Sequence, residues 1–129
     1  MILITGGAWQ GKLDFAIELA SEKGKDGSKV AEGAADSFES AFDSFIIHGF
    51  HEYIRRILEE GKSVDSFIDS IAEQNPDVII ISNELGCGIV PMNPKDRQWR
   101  EVSGRASVRL AGISEEVYRL VCGIPSRIK

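Results

Sequence analysis

The chain has 129 residues, and its 20 acidic and 15 basic side chains give a net charge of −5. A chain of this length predicts one domain over residues 1–129, and its ordinary share of hydrophobic residues excludes a disordered or fibrous protein. The mildly acidic balance gives no general attraction to nucleic acid or to an anionic membrane, so we expect neither as a partner.

Two further features bear on the cellular compartment. No apolar run approaches the roughly 18 residues that a membrane span requires, and the first residues predict a strand rather than a leader. Cys87 and Cys122 lack the spacing of a zinc site or a disulfide framework. We therefore expect a cytoplasmic location.

The first predicted element leads directly into a glycine-rich turn. Ile2, Leu3 and Ile4 form a buried-strand pattern, and the following residues match the phosphate-binding spacing G-x-x-x-x-G-K. Glycines let successive backbone N–H groups point at phosphate oxygens, and the next helix adds its positive end. The sequence predicts that a nucleotide contacts Gly6, Gly7, Ala8, Trp9, Gln10, Gly11 and Lys12.

The position after Lys12 departs from this pattern. Lys12 is expected to reach the outer phosphates and to act in catalysis, and a Ser or Thr hydroxyl should follow it to bind Mg²⁺. Leu13 occupies that position and has no metal-binding atom. The pattern therefore favours phosphate binding over a turn without a ligand, and it weakens the expectation of magnesium-dependent turnover.

The middle of the chain alternates between predicted helices and strands. A helix follows the glycine turn and should end near residues 24–27, with a short strand over 29–33, another over 44–48 and a loop between these two strands. Apolar residues at helical spacing predict helices from Phe50 to Leu58 and over 64–74, and the run DVIIIS at 77–82 predicts a strand buried on both faces.

The last part of the chain predicts a long helix and a final strand. Asn93 is a candidate N-cap before Pro94, and Trp99, Val102, Ala106 and Leu110 should face the sheet. A strand is expected over 116–122. Strands alternating with helices predict an α/β fold of the P-loop NTPase type, a doubly wound and mostly parallel sheet with helices on both faces.

Several carboxylates are candidates for catalysis or for metal binding. Glu84 follows a buried strand at its carboxyl end, where ligands bind in such sheets, and the other interpretation is a loop residue bonded to backbone amides. Asp14 and Asp36 are expected near the same edge, where either would partly replace a missing magnesium ligand. We interpret His48 as a strand-end histidine and His51 as a surface one, without a third ligand for zinc.

Arginine side chains recur on the long helix at a spacing of four residues. Arg97, Glu101, Arg105 and Arg109 predict a solvated stripe of ion pairs within the helix. Arg100 lies off this stripe, where an arginine close to a nucleotide would bind its phosphates.

Two blocks of the chain resemble a known family. The segment NELGCGIVPMNPKDRQWREVSGRASVRLAGISEEVYRLVCGIPSRIK at 83–129 is similar to the C-terminal part of the adenosylcobinamide kinase/adenosylcobinamide-phosphate guanylyltransferase family, and ILITGGAWQGK resembles that family's ILVTGGARSGKS opening. The resemblance implies a P-loop α/β fold, commonly a trimer, in cobalamin biosynthesis. It also implies phosphorylation of the cobinamide aminopropanol arm with ATP or GTP, followed by GMP transfer through a guanylated histidine.

Departures from the family pattern affect this chemistry. Leu13 replaces the family's serine, His48 replaces an aspartate, and Ser107 replaces the usual asparagine after the GR element. About twenty residues separate the first helix from the strand at 44–48, too few for the segment that carries the guanylated histidine. We expect the guanylyl transfer to be lost.

Two hypotheses follow from these residues. The first is a short cobinamide kinase-like protein that binds ATP or GTP, with Lys12 in catalysis and with Glu84 or Asp14 helping to hold Mg²⁺. The alternative is a catalytically inactive module that binds a nucleotide or a corrinoid and has a regulatory role.

Overall fold

A computed structural model describes residues 1–85 and 93–129 of the chain. The strands are β1 (Ile2–Gly6), β2 (Val30–Glu32), β3 (Ile46–His48), β4 (Ile79–Asn83), β5 (Glu116–Val121) and β6 (Ile124–Arg127). The helices are α1 (Lys12–Glu22), α2 (Phe50–Glu59), α3 (Val64–Gln74) and α4 (Pro94–Ile113), with a short 3₁₀ helix at Phe38–Phe42.

The strands form one sheet in the order β2-β3-β4-β1-β5-β6. The pairs from β2 to β5 are parallel, and β6 pairs with β5 in the antiparallel direction. The carboxyl ends of β1 to β5 therefore share one edge of the sheet. The α/β fold predicted from the sequence, mostly parallel and resembling that of P-loop NTPases, is confirmed.

Helices cover both faces of the sheet. On one face, α1 buries Ala16, Leu19 and Ala20 against the apolar side chains of β1, β3 and β4. The opposite face packs against α2, α3 and α4, with Phe50, Ile68 and Leu110 in its core. The strand β4 contributes to both cores, as its unbroken apolar run predicts.

The helix boundaries follow local signals. The side chain of Asn93 accepts a hydrogen bond from the Lys95 N–H at 2.8 Å, and Pro94 begins α4, so the predicted N-terminus of this helix is confirmed. Ala106 and Leu110 are buried, and Trp99 and Val102 pack partly buried against the same core. No helix within residues 1–85 and 93–129 is long and apolar enough to cross a membrane.

Three sequence-based expectations were wrong or incomplete. Residues Phe38–Phe42 form a 3₁₀ helix where a loop was expected, and β6 was not predicted. The stripe on α4 is only partly intrahelical. Arg105 and Glu101 lie 3.9 Å apart, but Arg109 instead binds Asp65 and Asp69 of α3.

Candidate functional site: a glycine-rich loop beside two histidines

The glycine turn has the backbone geometry that the spacing predicts. Gly6 and Gly11 have φ angles of 149° and 82°, which favour glycine, and Trp9 also has a positive φ of 62°. A Cβ on Gly6 would lie 2.6 Å from the Leu120 carbonyl oxygen, so the loop leaves β1 against β5 at a point where only glycine fits. Gly11 caps α1 without a side-chain hydrogen bond to the helix. The positive end of α1 therefore faces the loop.

Lys12 lies folded into this loop. The residue is only 6% exposed, and its ammonium donates a hydrogen bond to the Gly7 carbonyl oxygen. Burial lowers the pKa of Lys12 below its usual value, while the negative charge of Glu84 acts in the opposite direction. A buried ammonium held by one neutral carbonyl is the arrangement that an anion would stabilise.

A cavity of about 430 Å³ opens in front of the loop. The loop residues Ala8 to Asp14 line one side of it. The other side is lined by Glu32, Ala34, His48, Gly49, His51, Glu52 and Asn83, which come from the ends of β2, β3 and β4 and from the start of α2. The cavity therefore lies at the carboxyl edge of the sheet, where ligands bind in folds of this type.

The strand-end residues of β2 and β3 form a pair inside this cavity. Glu32 and His48 face each other in the parallel register, and Glu32 Oε2 lies 2.8 Å from His48 Nδ1. The sequence predicted His48 as a strand-end histidine, and β3 does end there. Its pairing with Glu32 was missed, although the weak strand predicted over 29–33 contains that residue.

His51 is buried rather than on the surface, so that prediction was wrong. Its Nδ1 accepts a hydrogen bond from the Asn83 N–H at 3.2 Å, and its ring stacks against Trp99 of α4. Burial, reinforced by the positive charges of Lys12, His48 and Arg55, lowers the pKa of His51 to about 4. His51 is therefore neutral near pH 7 and joins α2 to the end of β4.

The candidate carboxylates lie in three different environments. Asp14 lines the cavity in front of the glycine-rich loop. The Asp36 carboxylate accepts a hydrogen bond from the Glu32 N–H at 2.7 Å, so it stabilises the chain just after β2. Glu84 Oε1 and Oε2 accept hydrogen bonds from Arg119 at 2.9 and 3.2 Å.

Glu84 also borders a second, larger cavity of about 770 Å³ between the ends of β1 and β4 and the helix α4. Arg97, Arg100 and Arg105 line this cavity, and Asn83 lines both cavities. Cys87 and the other residues of 86–92, which belong to the block that resembles the family, lie outside the described residues.

The residues of the first cavity do not provide the usual magnesium ligands. The side chain of Leu13 has no oxygen atom, and the nitrogen of His48 is a poor ligand for this hard cation. Glu32 has an oxygen ligand to offer, but its carboxylate is held by His48. Within residues 1–85 and 93–129, no group of three or more His, Cys, Asp or Glu side chains has the geometry of a metal site. Among the described residues, the side chains at the two usual ligand positions, Leu13 and His48, therefore do not fit a magnesium site of the usual kind.

A comparison with known proteins agrees with the family resemblance found in the sequence. A family model described as cobinamide kinase / cobinamide phosphate guanyltransferase matches residues 45–128. This match includes β3, α2 and α4, and it begins after the glycine-rich loop.

Two curated relatives are both described as bifunctional adenosylcobalamin biosynthesis protein CobU. The protein from Salmonella typhimurium is 44% identical over 52 residues, and the one from Escherichia coli is 40% identical over the same length. Each alignment covers 40% of this chain and 29% of the relative.

Proposed function

This chain belongs to the cobinamide kinase / cobinamide phosphate guanyltransferase family, and on that premise we propose that it binds the phosphates of ATP or GTP along Gly6 to Lys12. The observation that carries the proposal is the buried Lys12 ammonium, which bonds only to the carbonyl oxygen of its own loop among the hydrogen bonds of the described residues. Nucleotide phosphates would replace this neutral partner with charged ones.

The proposed reaction is phosphorylation of a hydroxyl on the aminopropanol arm of adenosylcobinamide. The hydroxyl oxygen attacks the γ-phosphorus, and the bond from that phosphorus to the β–γ bridging oxygen breaks. Lys12 and the backbone N–H groups of the loop stabilise the charge on the phosphoryl oxygens. The negative charge of Glu84 contributes to this step because it favours the charged form of Lys12.

The second part of the family's activity is proposed to be lost. A short connection that holds β2 and the 3₁₀ helix joins α1 to β3, and its length supports the proposal that the segment with the guanylated histidine is missing. His48 and His51 belong to a different block of the sequence. We propose that the chain does not transfer GMP.

Leu13 and His48 also support a second candidate function. Both replace residues that would hold Mg²⁺, so an inactive module that binds a nucleotide or a corrinoid would keep this cavity without catalysis.

For either function we propose a single domain in a cytoplasmic homo-oligomer, with a trimer as the expected state. Light scattering on the purified protein tests that assembly.

Incubation with adenosylcobinamide and ATP or GTP, with and without Mg²⁺, distinguishes the two functions. Mass spectrometry should detect phosphorylated cobinamide with the wild-type protein and none with Lys12→Met. Lys62→Ala is the matched control, because Lys62 is an exposed lysine between α2 and α3. Nucleotide-induced thermal stabilisation without product supports the inactive module. If no nucleotide stabilises the protein, the kinase and the nucleotide-binding form of the inactive module are both wrong.

A further inference from the structure

The pair formed by Glu32 and His48 lies inside the cavity that faces the phosphate loop. Each residue ends its strand, and the parallel register places the two side chains opposite each other. His48 stands where the family has an aspartate, so this pair is a feature of the chain rather than of the family pattern. A histidine at this strand end is a poor ligand for Mg²⁺, but it can take part in proton transfer beside the proposed phosphate site.

The carboxylate determines which ring nitrogen of His48 carries the proton. An ionised carboxylate only accepts hydrogen bonds, so at a distance of 2.8 Å the Nδ1–H of His48 donates to Glu32 Oε2. In the neutral ring, Nε2 then has its lone pair available. His48 lines the cavity with Lys12 and is about one-third exposed, with its side chain 37% accessible. The ring can therefore accept a proton from a group bound there.

The position of Glu32 is fixed by the chain that follows it. The Glu32 N–H donates to Asp36 Oδ2 at 2.7 Å, and the Gly33 N–H donates to the His48 carbonyl oxygen at 2.8 Å. Arg56 of α2 donates to the carbonyl oxygens of Gly33 and Asp36 at 2.8 and 2.7 Å. These contacts hold the end of β2 against the end of β3, so the pair is built into the fold.

The charged groups around the pair come from three elements. Lys12 and Asp14 of α1, Glu32 of β2, and His51 and Glu52 of α2 line the same cavity as His48. Because the pKa of His51 is about 4, that residue does not titrate between about pH 5.5 and 8.

We propose that His48 accepts the proton of the attacking hydroxyl during phosphoryl transfer and that Glu32 is the positioning residue for its ring. This inference rests on the kinase function proposed above. As the oxygen–phosphorus bond forms and the bond to the bridging oxygen breaks, the hydroxyl proton moves to Nε2 of His48. Glu32 keeps Nδ1 protonated and stabilises the imidazolium, and the proton later leaves to solvent.

The test measures the rate of cobinamide phosphorylation against pH at saturating nucleotide and acceptor. General base catalysis typically contributes a factor of about 100 to 10,000, so we expect His48→Ala to lower kcat at least about 100-fold with little change in the nucleotide affinity. Added imidazole should restore part of the rate of this variant. Glu32→Gln should lower kcat and move the acidic limb of the pH profile to lower pH, because a neutral amide stabilises the imidazolium less.

The control variant is Glu73→Gln, which removes the same charge from an exposed position on α3 and should behave as the wild type. If His48→Ala keeps the wild-type rate and pH profile, the proposal is wrong and the kinase function stands. A rate that increases as pH falls would show that His48 acts as a cation on the phosphates, which also overturns it. If the protein binds nucleotide but phosphorylates no acceptor at any pH, the kinase function and the role of His48 as proton acceptor are both wrong, and only the nucleotide-binding function remains.

Discussion

Replacement of Lys12 by methionine should separate nucleotide binding from the stability of the fold. Methionine keeps an unbranched apolar side chain of similar length but has no ammonium group. In the folded protein this ammonium is buried and bonds to the Gly7 carbonyl oxygen. Burial lowers the Lys12 pKa, which means that the fold disfavours the charged lysine more than the unfolded chain does. This penalty is present at neutral pH and is relieved only as pH rises toward the ordinary lysine range.

The two expected effects therefore differ in size. Loss of the bond to Gly7 costs about 1 kcal/mol, and removal of the buried charge offsets it, so the free energy of unfolding should change by less than about 1 kcal/mol. A hydrogen bond from an ammonium to a phosphate contributes about 1.5 to 3 kcal/mol, which corresponds to a loss of nucleotide affinity of roughly 10- to 150-fold.

Titration calorimetry with ATP and GTP measures the affinity, and urea unfolding without nucleotide measures the stability. Lys62→Ala, which removes an exposed lysine, should change neither quantity appreciably. The reasoning is refuted if Lys12→Met binds nucleotide as tightly as the wild type. It is also refuted if Lys12→Met loses several kcal/mol of stability, because its ammonium would then be a structural group.

Three other substitutions test parts of the site. Gly33→Ala places a Cβ 2.0 Å from the Gly49 carbonyl oxygen, so urea unfolding should show that the free energy of unfolding falls by about 2 kcal/mol or more. The control Gly104→Ala adds a Cβ with no atom within 4 Å, so it should not destabilise the protein. Leu13→Ser adds the missing hydroxyl, so calorimetry should show that Mg²⁺ strengthens nucleotide binding more than in the wild type; an equal effect of Mg²⁺ in both would contradict this. The pKa of His51 is lowered from 6.5 to about 4, so the free energy of unfolding should fall by up to about 3 kcal/mol as pH decreases through that interval. Unfolding measured at several pH values should show a weaker pH dependence for His51→Asn. The same pH dependence in the variant and the wild type would contradict this prediction.

The shape of the glycine-rich loop could be predicted from the sequence because its determinants are local. A short buried strand, two glycines at fixed spacing, a lysine and the start of a helix are adjacent in the chain, and the structure shows each of them. The helices α2 and α3 have clear apolar periodicity, so their bounds also agree closely with the prediction.

Features that depend on distant residues could not be read in this way. His51 is covered by Trp99, whose indole N–H donates to the His51 carbonyl oxygen across 48 positions of the chain. The pairing of Glu32 with His48 depends on the register of two strands of only three residues each. Neither the spacing of the two histidines nor their local sequence contains this information.

The strand β6 was missed for a different reason. All its residues are exposed, and it contains Pro125, so it has neither an apolar face nor a strong strand propensity. A signal was present in the turn before it. Cys122 and Gly123 both have positive φ angles, which is typical of a two-residue hairpin turn ending in glycine.

The most direct test of the phosphate site is a nucleotide titration of the wild-type protein followed by amide NMR. Binding along Gly6 to Lys12 predicts saturable shifts of the amides of Gly7, Gly11, Lys12 and Leu13, with smaller changes at α3 on the other side of the molecule. If ATP and GTP leave the loop amides unchanged, or shift only residues outside this cavity, the proposed nucleotide site is wrong.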